Sequence, residues 1–198
     1  LSRQLSEGDS EARYEAAKGL EEFGAQATPA VAELAAALKA PETRLRYRAA
    51  KALSKIGPTA EAAVPALAEA LQDEDAQVRY YAAKALSKIG SAAGAAVPAL
   101  VRALKDSDTQ VRVYAAKSLY ECETKSRELI PDLLDAMNHD DHADVRYYAA
   151  LTLGHVGSGA RQVIAALQHA EQSSDTRLQE AARIALEHVR THQPHTRG

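Results

Sequence analysis

The chain has 198 residues, 24 Lys+Arg against 27 Asp+Glu for a net charge of −3, and 46% hydrophobic positions. Forty-three alanines, one phenylalanine and no tryptophan exclude a core built on large aromatic anchors, and so argue against a β-sandwich or barrel and for closely packed helices. The slight acidity argues against a general nucleic-acid binder; there is no apolar run near the roughly 18 to 20 residues of a membrane span and no leader, and the lone cysteine leans to a reducing compartment, so a soluble, cytoplasmic chain is expected.

The opening LSRQL places Leu1 and Leu5 one helical turn apart, and with no initiator Met it reads as the cut end of a first helix in a longer chain. ARYEAAKGLEEFG from Ala12 is followed by LRYRAAKALSKIG at 45–57 and VRYYAAKALSKIG at 78–90, then by VRVYAAKSLYECE from Val111, VRYYAALTLGHVG from Val145 and LQEAARIALEHVR from Leu178. The spacing is 33 residues, with one residue added near HDDHAD. Between these segments lie AVAELAAALKA, AVPALAEALQD, AVPALVRALKD and LIPDLLDAMNH, so each repeat is two helices. Pro65, Pro98 and Pro131 stand where a helix starts, Asp9, Asp75, Asp108 and Asp175 stand as N-caps, and Gly24, Gly57, Gly90 and Gly157 close the second helix. The expected organisation is one repeat domain over 1–191, with repeats near 1–24, 25–57, 58–90, 91–123, 124–157 and 158–191, and a polar, frayed tail over 192–198. In the third repeat Val78, Ala82, Ala85, Leu86 and Ile89 share about 100° of helical arc, a stripe that only stacked neighbours can bury.

Ankyrin and tetratricopeptide units have similar lengths, but their TPLH and Trp-containing signatures are missing. The pattern Asp75-x-x-Val78-Arg79-x-x-Ala82-Ala83-x-Ala85-Leu86-x-x-Ile89-Gly90, preceded by a Val-Pro-x-Leu helix, resembles a HEAT-like repeat of the short bacterial, PBS-lyase type. The resemblance implies an all-α, right-handed α-solenoid of about five and a half helix pairs with the second helices lining the concave side. It also implies an Asp–Arg ladder between repeats, which here would use Arg13, Arg46, Arg79, Arg112 and Arg146.

All eight tyrosines lie on second helices. Tyr80, Lys84 and Ser87 fall opposite the core stripe, and their equivalents form two columns, Tyr14, Tyr47, Tyr80 and Tyr147 beside Lys18, Lys51, Lys84 and Lys117; Tyr81, Tyr114 and Tyr148 adjoin them. Lys55 and Lys88 flank the same groove. A column of lysines about 10 Å apart is tolerable in water and would attract an acidic peptide, the tyrosines supplying flat contact area; the bland reading is that lysine stems and rings cover each other. In the last two repeats Leu151 and Ile184 replace the lysines, which predicts a groove that becomes more apolar.

Little chemistry is legible elsewhere. His155 and His188 are repeat equivalents that should face each other, with His192 one turn on, but the site would be open and without an orienting carboxylate, so no metal is assigned. The HDDH run reads as a solvated turn with helix-capping acids. Cys122 occupies the core position of Ile89 and reads as buried and inert. No phosphate loop, dinucleotide motif or nucleophile elbow is present, and no cofactor or enzymatic constellation is expected. The sequence is therefore read as a non-enzymatic scaffold, monomeric, binding a protein or acidic peptide partner, or another domain of its own chain, along its concave face. The alternatives are a polyanion or nucleic-acid binder using the Lys column, and a structural spacer or a designed or consensus-like repeat array.

Overall fold

The computed structural model describes residues 1–191, which contain sixteen helical segments and no strand. The expected tail 192–198 and His192 lie outside the described residues. No helix among the described residues is long and apolar enough to cross a membrane. The chain divides into two compact units, Leu1–Cys122 and Glu123–Gly198.

The first unit contains α1 (Ser2–Glu7), α2 (Ser10–Phe23), α3 (Val31–Ala37), α4 (Thr43–Ile56), α5 (Val64–Ala70), α6 (Ala76–Ile89), α7 (Val97–Ala103) and α8 (Thr109–Glu121). The long helices α2, α4, α6 and α8 pack side by side in one layer, and the short ones α1, α3, α5 and α7 form the other. The predicted stripe of α6 is buried throughout, from Val78 to Ile89. Each fully buried leucine, such as Leu53, Leu86 or Leu119, contributes about 1.5–3 kcal/mol of transfer free energy. One expectation is corrected: Ser87, placed opposite the core, is buried, as is Ala83. Because α6 is flanked by α4 on one side and α8 on the other, burial extends around both flanks and leaves a narrow open strip at Tyr80, Tyr81, Lys84 and Lys88.

The helix ends follow the residues predicted for them. Asp9, Asp75, Asp108 and Asp175 accept backbone N–H groups of the first turn at 2.9–3.2 Å, and Pro65, Pro98 and Pro131 stand in a first turn. Gly24, Gly57 and Gly90 have φ of +53°, +77° and +71°, a backbone that L side chains rarely adopt. They turn the chain into three seven-residue 3-10 segments, Gly24–Ala30, Gly57–Ala63 and Gly90–Ala96, which the sequence reading did not foresee. In these, Ala27 and Ala30, Ala60 and Ala63, and Ala93 and Ala96 are buried at every third residue, the period of that helix. After α8 the glycine position is held by Glu123, at φ +48°.

Arginines join successive repeats. Arg46 donates to Asp73 through Nε and Nη2 at 2.7 and 3.0 Å, and Arg79 to Asp106 at 2.8 and 3.0 Å. Each also holds two carbonyls of its own turn, Ala40 and Pro41 for Arg46, Asp73 and Glu74 for Arg79. Here the acid of the ladder is the aspartate two residues before the N-cap, which also accepts the N–H of that cap. Arg13 donates to the Leu5 carbonyl at 3.0 Å, and Arg112 holds the Asp106 carbonyl at 3.1 Å as Arg79 holds that of Asp73.

The second unit contains α9 (Ile130–His139), α10 (Ala143–Val156), α11 (Arg161–Ala170) and α12 (Thr176–Thr191), with α10 packed on α9 and α12. Arg146 and Asp175 form its ladder pair. The acid-capped turn expected at HDDH is capped by a histidine: His142 Nδ1 accepts the Asp144 N–H at 3.2 Å while Asp140 braces the His142 N–H at 2.8 Å. Gly157 closes α10 as expected but at φ −91°, and Gly159 takes the positive φ. Gly154, the equivalent of Ser87, allows α10 and α12 to approach so closely that a Cβ there would lie 2.8 Å from the Ala185 Cα.

Candidate functional site

The predicted tyrosines and lysines of the first unit do share the face built by α2, α4, α6 and α8, but they are more engaged with one another than two parallel columns imply. Between α2 and α4, the Tyr14 hydroxyl accepts Arg48 Nε and Nη2 at 3.2 and 2.9 Å, and Arg44 covers its ring at 4.0 Å. Glu21, 14% exposed, accepts Arg48 Nη1 at 2.9 Å and pairs with Lys51 Nζ at 3.0 Å. That hydrogen bond with Glu21 raises the proton affinity of Lys51 above the ordinary lysine value, against the opposing effect of burial. Lys18 pairs with Glu15 of its own helix at 3.5 Å.

From α4 to α8 the rings form a chain of edge-to-face contacts. Tyr47 meets Tyr81 at a centroid distance of 5.4 Å, Tyr81 meets Tyr80 at 4.7 Å, and Tyr80 meets Tyr114 at 5.3 Å, with interplanar angles of 77°, 74° and 84°. Lys84 donates to the Tyr80 hydroxyl at 3.0 Å, which raises its proton affinity, and its ammonium lies 5.2–5.7 Å from the centroids of Tyr80, Tyr81 and Tyr114. Burial pushes the Tyr81 and Tyr114 phenols above their usual range. Lys117 is half-buried on α8 beside Tyr114 in sequence register and is itself engaged. In the second unit Tyr147 and Tyr148 make the same edge-to-face contact at 5.2 Å, and Arg177, paired with Asp144, stacks on Tyr147 at 4.9 Å. The lysine replacements there divide: Leu151 is buried, whereas Ile184 is 44% exposed.

Three members of the lysine column, Lys18, Lys51 and Lys84, are thus held by internal partners. Lys55 and Lys88, which flank it, are exposed and have no ion-pair partner among the described residues. Partial desolvation and the nearby ammonium groups of Lys84, Lys55 and Lys117 lower the proton affinity of Lys88. The sequence reading missed Arg44, Arg48 and Glu21. Their signal was present as breaks in register: Glu21 stands where later repeats have Ser54 and Ser87, and Arg48 where they have Tyr81 and Tyr114, an acid and a base one repeat apart.

Elsewhere, His155 and His188 do face each other, with ring centroids 4.9 Å apart, and no group of three or more His, Cys, Asp or Glu among the described residues is arranged to hold a metal. Cys122 is buried, and desolvation pushes its thiol up to about 11. The HEAT repeats family model matches residues 1–72, 59–106 and 97–187, nearly the whole chain. This chain belongs to the HEAT-repeat family. No curated protein matches it in sequence. Among solved structures, an engineered protein of the Northeast Structural Genomics Consortium is 26% identical at a TM-score of 0.78, covering 96% of this chain and 95% of that one. A designed armadillo repeat protein in complex with peptide (KR)4 is 18% identical at a TM-score of 0.77, covering 95% and 97%. This HEAT-repeat chain shares their all-α repeat fold.

Proposed function

We propose that this HEAT-repeat scaffold binds a peptide segment of a partner protein along the second-helix face of its first unit, centred on Tyr47, Tyr80, Tyr81, Lys84 and Tyr114. The observation that carries the reading is the edge-to-face chain from Tyr47 to Tyr114, half-buried yet open along one side. Neighbouring helices already hold these rings, so a ligand gains flat aromatic area and phenol hydrogen bonds without the receptor losing much rotamer freedom. Tyr14, Lys18, Lys51 and Lys117 border this surface, and Tyr147 and Tyr148 offer a similar one in the second unit. The armadillo-type relative solved with (KR)4 lends the architecture as an analogy.

Selection of a displayed library of random 12-residue peptides tests the reading, followed by hydrogen exchange with the strongest binder. Protection gained on α4, α6 and α8 is the expected result. A library that yields no binder, or binders that protect only α3, α5 and α7, would refute it.

A further inference from the structure

Within the first unit, one line of repeat equivalents runs Glu22 on α2, Lys55 on α4, Lys88 on α6 and Glu121 on α8. The two central members are the exposed lysines without an ion pair among the described residues, and the outer two are acids. The basic groups nearby add to the centre, since Lys84 and Lys117 both act on Lys88. Two other acids of this face are occupied, Glu21 by Arg48 and Lys51, and Glu15 by Lys18. Along this line the positive charge without an ion pair is therefore two repeats wide and bounded by negative charge.

From this we infer that the occupant is an extended peptide with two acidic side chains three residues apart, one carboxylate on Lys55 and one on Lys88. The inference rests on the scaffold reading above and specifies its ligand. Packed helices are spaced about 8–10 Å, and three residues of a chain in the polyproline II conformation advance about 9 Å and return the side chain to the same face, whereas separations of one or two residues fall short or turn the second acid away. A longer uniform polyanion places charge against Glu22 and Glu121, which disfavours nucleic acid and favours a peptide whose acids are confined to the centre. The flanking tyrosines fit the apolar and amide surface between such acids.

The probe is a set of fluorescein-labelled 12-residue peptides with a glutamate pair separated by one to five residues in a randomised background of uncharged residues, tested against the full chain and against Lys55→Glu/Lys88→Glu. Both lysines are exposed and without an ion pair, so the variant should keep its helicity and melting temperature. Tightest binding at a separation of three is expected, with at least a tenfold loss in the variant. A lysine pair at the same separation should restore binding to the variant. A twelve-nucleotide oligothymidylate should bind more weakly than the best peptide. Peptides that protect α4, α6 and α8 equally well without acids would overturn this inference and leave the scaffold reading standing, whereas no binding by any peptide would remove both. Oligothymidylate binding more tightly than every peptide would also overturn it, in favour of a polyanion.

Discussion

Arg46 offers the sharpest test of how the repeats are joined. Its guanidinium makes a two-point contact with Asp73 at 2.7 and 3.0 Å, contacts Glu74 at 3.0 Å and donates to the Ala40 and Pro41 carbonyls at 3.1 and 3.0 Å, and both charged side chains of the central pair are about one-tenth exposed. Arg46→Ala leaves the Asp73 carboxylate with the Asp75 N–H and leaves two carbonyls without that donor. Breaking a buried pair from one side costs about 3–5 kcal/mol. Arg46→Lys keeps the charge but cannot span both oxygens and both carbonyls, and should cost about 1.5–3 kcal/mol, the value of a charge-assisted hydrogen bond. Removing both members with Arg46→Leu/Asp73→Asn keeps an acceptor for the Asp75 N–H, so the double variant should be more stable than Arg46→Ala. In a stack held by nearest-neighbour contacts the damage is local, so α1 to α4 should lose amide protection before α5 to α8. Urea unfolding followed by circular dichroism, with hydrogen exchange on the same variants, measures both. An Arg46→Ala chain within 1 kcal/mol of the parent, or single-variant costs that simply add in the double variant, would show that the pair does not couple these repeats.

Other positions make independent predictions. Glu123→Gly should stabilise the protein by about 0.5–1 kcal/mol, because a non-glycine residue at φ +48° costs about 1–2 kcal/mol and glycine returns part of that as unfolded-chain entropy; a lowered melting temperature would contradict it. Gly154→Ala should destabilise by about 1–2 kcal/mol although alanine is the better helix former, since the new Cβ meets the Ala185 Cα at 2.8 Å; a stabilised variant in thermal melts would mean that α10 and α12 are not so closely packed. The hydrogen bond from Arg146 holds the Asp175 carboxyl below its ordinary range, so its contribution to stability is complete above about pH 4 and disappears as pH falls through the lower folded value. The stability difference between the parent and Asp175→Asn should therefore shrink on acidification below about pH 4, and a constant difference from pH 7 to pH 2 would refute the assignment.

The periodic elements were the most legible part of the chain because single residues set them. The N-cap aspartates, first-turn prolines and stripe from Val78 to Ile89 each follow from local geometry that one repeat already specifies. The 3-10 connections escaped because runs such as GSAAGAA carry no strong apolar pattern, and only the burial of Ala93 and Ala96 reveals the three-residue period. Ser87 was misplaced for a related reason: a helical wheel sees one core, whereas a helix inside a layer has neighbours on both flanks. On the candidate face the tyrosines and lysines were found but their pairing was not. Which charges remain open depends on contacts between repeats, as when Glu21 of α2 claims Arg48 and Lys51 of α4, and no single repeat contains both sides of that choice.

The sameness of the two joints at Arg46–Asp73 and Arg79–Asp106, each approached through a seven-residue 3-10 segment that opens on a positive-φ glycine, bears on how such a chain changes size. A block of 33 residues cut between Gly57 and Gly90 carries on one side the arginine and on the other the aspartate that a further copy requires. Duplicating it inserts a joint of a hydrogen-bonding pattern already in use and asks nothing new of the core. The length of this unit is thereby adjustable in whole steps of about 8–10 Å by a single recombination event, whereas the charge carried by each step remains open to point substitution at positions such as Lys55 and Lys88.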